Sequence, residues 1–230
     1  MSNGNQNVPV LAIDGPSGTG KGTIAGRVAS HFGWHTLDSG ALYRAFAHVA
    51  VENDVSPDDI TGLERLIRTI DIGFSQTVAG LNIVVDGRDI TDHVRSERGG
   101  KRASIYAKIP SVRQGLLAKQ RQMRAVPGLV ADGRDMGTVV FPDAFLKIFL
   151  DASASIRAQR RYNQLKEKGF SVTLRRLEKE IADRDAQDRN RSVSPLIPAV
   201  DAVVLDTSEK GIVEVFTEVV TLMEDRLPTR

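Results

Sequence analysis

Apolar residues fall into two kinds of run along this chain, and their order predicts an α/β fold. Val10-Leu11-Ala12-Ile13 is continuously apolar, as expected of a parallel strand buried on both faces. Directly afterwards Ile24, Val28, Ala29 and Phe32 recur at helical spacing. His35-Thr36-Leu37 reads as a short second strand ending in the turn Asp38-Ser39-Gly40, followed by a helix over 41–51. Leu129-Val130-Ala131, the run 146–150 and the run 202–205 repeat the buried-strand pattern. Helices are predicted near 153–168 and 172–190, and Val213, Val215, Phe216, Val219, Val220 and Leu222 mark a closing helix. Strands alternating with helices predict a doubly wound parallel sheet of about five strands.

The middle of the chain departs from that alternation. Ser56-Pro57-Asp58-Asp59 has the composition of a helix start, with a capping serine, proline at the first helical position and acids in the first turn. Leu63, Leu66, Ile67 and Ile70 supply the buried stripe. Strands over 71–75, 81–85 and 88–90 follow, the last two joined by Asp86-Gly87, a two-residue hairpin signal. Ser111 opens another helix, with Val112, Leu116 and Leu117 on one face. Residues 44–106 therefore read as an α+β insertion in an α/β core.

Between the first strand and the first helix lies Gly15-Pro16-Ser17-Gly18-Thr19-Gly20-Lys21, which fits G-x-x-x-x-G-K. In such a turn glycines let backbone N–H groups curl around an anion, the lysine reaches the terminal phosphates, and the helix N-terminus points at the ligand. The position after the lysine, where a hydroxyl usually touches Mg²⁺, is Gly22, with Thr23 one residue later. No direct protein ligand for the metal is assigned. The tetrapeptide Asp-Gly-Arg-Asp occurs twice. At 86–89 the hairpin turn explains it; at 132–135 it ends a buried parallel strand, on the sheet edge where ligands bind.

Composition adds limits. Hydrophobic residues at 41% and charged residues at 26% describe an ordinary globular chain, with no apolar stretch long enough to span a membrane. The polar start Met1-Ser2-Asn3-Gly4-Asn5-Gln6-Asn7 lacks the regions of a signal peptide, and the chain has no cysteine, so a cytoplasmic location is expected. A net charge of +2 is too small to argue for a nucleic-acid or membrane partner. Residues 157–191, however, hold eleven Lys or Arg against six Asp or Glu, a surplus suited to an anionic ligand within a largely solvated helical surface. His31, His35, His48 and His93 show no ligand spacing, and Trp34 is explained by packing beside Gly33. Thr207 and Ser208 close the last strand, where either an adenine pocket or a helix cap would use them.

Taken together, the blocks 13–23, 38–44, 131–143, 168–171 and 189–191 resemble those of the cytidylate kinases, which phosphorylate CMP and dCMP from ATP. The resemblance covers nearly the whole chain. It implies a phosphate-loop core at 1–43, 107–156 and 185–230, a monophosphate-binding insertion at 44–106 and a short helical lid at 157–184. ATP would lie on Gly15, Pro16, Ser17, Gly18, Thr19, Gly20, Lys21, Gly22 and Thr23, with Arg157, Arg160 and Arg161 as donors from the lid. By the same resemblance Ser39, Arg113 and Asp135 read the cytosine edge, Arg44, Arg134 and Arg191 hold the monophosphate, and Asp188 binds the sugar with Arg184 nearby. Tyr43, Asp132 and Gly133 belong to the same substrate blocks. Lys21, Arg134, Arg184 and Arg191 would carry the transfer, with Mg²⁺ arriving with ATP and held largely by water and phosphates. A monomer with ATP and CMP or dCMP as its small-molecule partners is the expectation. Two other readings stay open: a phosphate-loop kinase for a different small substrate, and a nucleotide-regulated nucleic-acid module, against which the modest charge weighs.

Overall fold

Strand β1 (Val10–Asp14) is buried along its whole length, as its unbroken apolar run requires, and leads through the glycine turn into helix α1 (Lys21–Phe32). The computed structural model describes residues 8–77, 80–167, 169–191 and 193–227. Its main sheet is five-stranded, in the order β2 (His35–Asp38), β6 (Leu129–Gly133), β1, β7 (Leu146–Asp151) and β8 (Val203–Asp206). This is the parallel α/β sheet that the alternating runs predict. Parallel register pairs Asp14 with Phe149 and Asp151 with Asp206, so β7 and β8 finish level at their C-terminal ends and β7 runs two residues past the end of β1. The polar start Met1–Asn7 and Lys168 of the 168–171 block lie outside the described residues.

Packing divides the chain into two compact units. One joins Pro9–Phe32 to the chain from Val130 onward. Here helices α7 (Ala154–Glu167) and α8 (Leu174–Arg189) pack around Ala158, Leu177 and Ile181, and Gly169 turns between them at φ +79°. Helix α9 (Ile212–Glu224) lies against α1, with the His31 ring edge-on to Phe216 at 5.8 Å. Only Val215, Val219 and Met223 of α9 are buried, while Val213 is 67% exposed, so its inner face is narrower than its apolar content predicts.

The other unit contains Gly33–Leu129. Helices α2 (Ser39–Glu52), α3 (Ile60–Thr69) and α6 (Pro110–Gln122) bury Leu42, Phe46, Leu63 and Leu116 in one core. The Tyr106 hydroxyl donates to the Val55 carbonyl at 2.8 Å inside it. Strands β3 (Ile72–Thr77), β4 (Gly80–Val85) and β5 (Arg88–Asp89) form a small antiparallel sheet. Asp86 and Gly87 both have positive φ, 47° and 78°, as a two-residue hairpin of the I′ type demands.

Four local expectations change. The cap of α3 is Asp59, which accepts from the Gly62 N–H at 2.9 Å; Ser56 instead closes a turn before the helix. Gly62 permits this, because a Cβ there would stand 2.2 Å from the Asp59 carboxylate. Helix α2 starts at Ser39 under an Asp38 cap, so the expected turn after β2 is already its first turn. Two further helices, α4 (Thr91–Val94) and α5 (Glu97–Tyr106), occupy a stretch with no legible stripe. The pair Gly99-Gly100 hides α5 in the sequence, yet Gly99 belongs there because its Cβ would stand 2.8 Å from the Val94 carbonyl oxygen. Finally, Met136–Val140 forms one π-helical turn after β6.

Candidate active site

The glycine turn is shaped by close approach. A Cβ on Gly15, at φ +145°, would lie 2.0 Å from the Leu150 carbonyl oxygen, and one on Gly18, at φ +86°, would lie 3.1 Å from Arg157 Cβ. Gly20, at φ +96°, accepts the first bond of α1 from Ile24 N–H at 3.0 Å. Pro16 is buried, and its carbonyl accepts from Thr19 Oγ1 at 3.2 Å and from Lys21 Nζ at 2.7 Å. Ser17 is half-buried, while Gly22 and Thr23 are exposed on the first turn of α1. The helix N-terminus and the loop thus form one anion-ready surface.

Lys21 is 6% exposed, and burial, with Arg134 and Arg184 adding like charge, pushes its ammonium down to about 7 despite Asp132 and Asp14. Asp14, at 4% exposure, is pushed up to about 6 by burial, against the N–H bonds it accepts from Gly137 and Met136, each 2.8 Å. Perturbed groups of opposite sign at the head of a glycine turn make this a candidate functional site.

At the end of β6, Asp132 and Gly133 are buried and Arg134 and Asp135 half-buried. Arg134 Nε donates to Asp188 Oδ2 at 2.8 Å, and Arg191 donates to Oδ1 of the same carboxylate. Burial works to raise Asp188, but Arg134, Arg191 and Arg184 together hold its carboxyl below the usual carboxylate range. Four expected residues, Arg134, Arg184, Asp188 and Arg191, are therefore brought into one charge network near Lys21.

The arginines expected as donors from a lid are engaged with protein. Arg157, 2% exposed, donates from Nε to Ala152 O at 2.9 Å, from one terminal nitrogen to Ser17 O at 3.0 Å, and from both to the Asp185 carboxylate. Arg160 donates to the Thr207 carbonyl and, at 3.1 Å, to its hydroxyl. Arg161 is exposed on α7. Thr207 Oγ1 contacts Thr19 O at 3.3 Å and Asp151 O at 3.1 Å, so it braces the loop; it caps no helix, since α9 follows Gly211. Asp14 and Asp185 were missed in the sequence. The signal for Asp14 is a lone acid closing a buried strand, and for Asp185 a place beside Arg184 and three residues before Asp188 on one helix.

Ser39, Tyr43, Arg44 and Arg113 belong to the other unit. Ser39 is 6% exposed at the start of α2, and Tyr43 and Arg44 are half-buried one turn later. Arg113, on α6, reaches the Ala107 carbonyl at 3.5 Å.

Among the described residues no three His, Cys, Asp or Glu side chains gather as a metal site, and no helix is long and apolar enough to cross a membrane. Gly22 offers no hydroxyl, and Asp132 Oδ2 lies 3.9 Å from where a Gly22 Cβ would stand. These residues fit a hard cation held mainly by water and phosphate oxygens.

Comparison with known proteins gives a match to the cytidylate kinase family over residues 11–225. A cytidylate kinase from Klebsiella pneumoniae (strain 342) is 48% identical over 96% of this chain and 97% of its own. One from Aeromonas salmonicida (strain A449) is 50% identical over 96% of each. A solved gluconokinase from Sinorhizobium meliloti 1021 aligns over 94% of both chains at 14% identity and a TM-score of 0.46, too distant to inform the site.

Proposed function

Because this chain belongs to the cytidylate kinase family, we propose that it transfers the γ-phosphoryl group of ATP to CMP or dCMP, giving ADP and CDP or dCDP. The observation that carries this reading is the buried Lys21, set in a phosphate loop and surrounded by Arg134, Arg184 and Asp132. Phosphoryl transfer asks a protein for alignment and positive charge rather than covalent chemistry. The attacking group is a phosphate oxygen, already nucleophilic at neutral pH, so no general base is required.

In this reading the N–H groups of residues 15–23 and Lys21 take the ATP phosphates. Arg44, Arg134 and Arg191 hold the monophosphate, Asp188 orients Arg134 and Arg191 and meets the sugar, and Arg184 adds charge where it develops. Arg161 is a direct donor, while Arg157 and Arg160 reach phosphate only by exchanging the protein acceptors they now bind. Asp132 would hold water of a Mg²⁺ that comes with ATP, a cation that would supply charge against the phosphate oxygens. Ser39, Arg113 and Asp135 read the cytosine edge: a carboxylate or hydroxyl accepts from the 4-amino group while an arginine donates to N3 or O2. Tyr43 and Gly133 belong to the same set of substrate residues. In domain terms, 44–106 binds the monophosphate and 157–184 closes over ATP. The reading includes a monomer acting in the cytoplasm.

ADP release measured with CMP, dCMP, UMP, AMP and shikimate as acceptors tests it. Turnover with CMP and dCMP above the others is expected; turnover with another acceptor instead would replace the reading.

A further inference from the structure

Asp14 closes β1 one residue before Gly15, and nothing in the transfer reading uses it. Its two carboxylate oxygens divide their work: Oδ1 accepts from Met136 N–H and Oδ2 from Gly137 N–H, both at 2.8 Å. Those are the first two donors of the π-helical turn, immediately after Arg134 and Asp135. The Asp135 carbonyl accepts from both Val139 and Val140, so the turn hangs from this point. One short, buried side chain is thus covalently joined to the phosphate loop and hydrogen-bonded to the backbone behind Arg134.

Resting on the kinase reading, we propose that Asp14 is a positioning residue that sets the register of Arg134 and Asp135 against the phosphate loop. A carboxylate is the side chain that can accept from two neighbouring N–H groups at once from so short a stem. An asparagine of the same shape offers one acceptor and turns an NH₂ donor toward the second N–H. The charged groups acting on Asp14 are Lys21 from α1, which favours its charge, and Asp135 beside the turn, which opposes it. Its burial makes that charge costly, and a costly carboxylate at the joint between loop and turn fits a function beyond stability.

The test is Asp14→Asn. Displacement by about an ångström disrupts in-line transfer by about 10² in rate, while each substrate keeps its own contacts. The expected result is a kcat lower by about 10² with KM for ATP and CMP within about fivefold of the unaltered protein, in a variant whose circular dichroism matches it. A folded Asp14→Asn with kcat within about threefold would overturn the proposal, as would a loss confined to KM. Should the variant not fold, amide exchange in the unaltered protein decides: protection of Met136 and Gly137, relative to Ile148 in β7, should fall as pH drops from 7.5 to 5. Unchanged relative protection would overturn the proposal. Failure of the unaltered protein to phosphorylate CMP would overturn the kinase reading and, with it, the positioning inference, whereas the exchange measurement separately reports whether Asp14 holds the turn.

Discussion

Arg157 and Asp185 form a buried two-pronged pair, and the same guanidinium reaches across to the carbonyl of Ser17 in the phosphate loop. Helices α7 and α8 are therefore tied to the loop through one cation. Removing the carboxylate strands that cation at a site with almost no access to water. Asp185→Ala should cost about 3–5 kcal/mol of stability, read from urea unfolding at constant slope; a midpoint equal to that of the unaltered protein would contradict the pairing.

Lys21 gives a stability signature and a binding signature. The unfolded chain keeps this proton to about pH 10.5, the folded chain only to about 7. Between those values the unfolded state binds one proton more, so Lys21 makes stability rise with pH there, and its burial cost is felt in full below pH 7. Lys21→Met should flatten that rise in unfolding measured at pH 6.5, 8 and 9. ATP phosphates favour the charged form, so ATP binding at pH 7.5 should take up protons. Calorimetry in buffers of different ionisation enthalpy reads the uptake, and Lys21→Met should lose its share of it. The same variant should lose about 10² to 10³ in kcat.

Base choice should follow from Asp135. Uracil presents an oxygen where cytosine presents an amino group, and a carboxylate facing that oxygen is left without a donor. Sites of this kind discriminate by about 10⁴. Comparable kcat/KM for CMP and UMP would remove Asp135 from the base edge, and Asp135→Asn, which can donate as well as accept, should narrow the gap.

Gly15 has no room for a side chain. A Cβ would overlap the Leu150 carbonyl, backbone in the middle of the sheet, and the φ of +145° disfavours any L side chain. Gly15→Ala should weaken ATP binding by tenfold or more, measured by equilibrium fluorescence titration. Affinity within twofold would mean that the loop can move off β7.

Water competes with CMP as the attacking group. If loop, insertion and lid align only around both substrates, ATP alone should be hydrolysed at a negligible rate. Steady ADP release without CMP, comparable to the rate with it, would refute that order of events.

Much of this protein is local enough to be legible residue by residue. Val10–Asp14, the glycine turn and α1 are consecutive, so the strand, the anion-binding loop and the helix N-terminus follow from apolar runs, glycine freedom and periodicity. The Asp86-Gly87 hairpin is equally local, because two positive φ values belong to the turn itself. The start of α3 was misplaced by three residues because serine and aspartate are both good caps, and only the space above Gly62 chooses between them. Helix α5 was invisible because two glycines lower its propensity, while the packing that favours Gly99 comes from the preceding turn.

The chain's order of amino acids determined by itself the phosphate loop, the parallel sheet and the blocks that mark its family, all carried by short-range pattern. Tertiary structure alone decided what the charges do. Arg157 and Arg160, expected as phosphate donors, take the carbonyls of Ser17 and Thr207 as acceptors in this structure, and Asp14 finds Met136 and Gly137 far along the chain. The reason is physical: a buried ion takes whichever opposite charge or backbone group the fold returns beside it, and that choice depends on strand order and register, which no local pattern encodes.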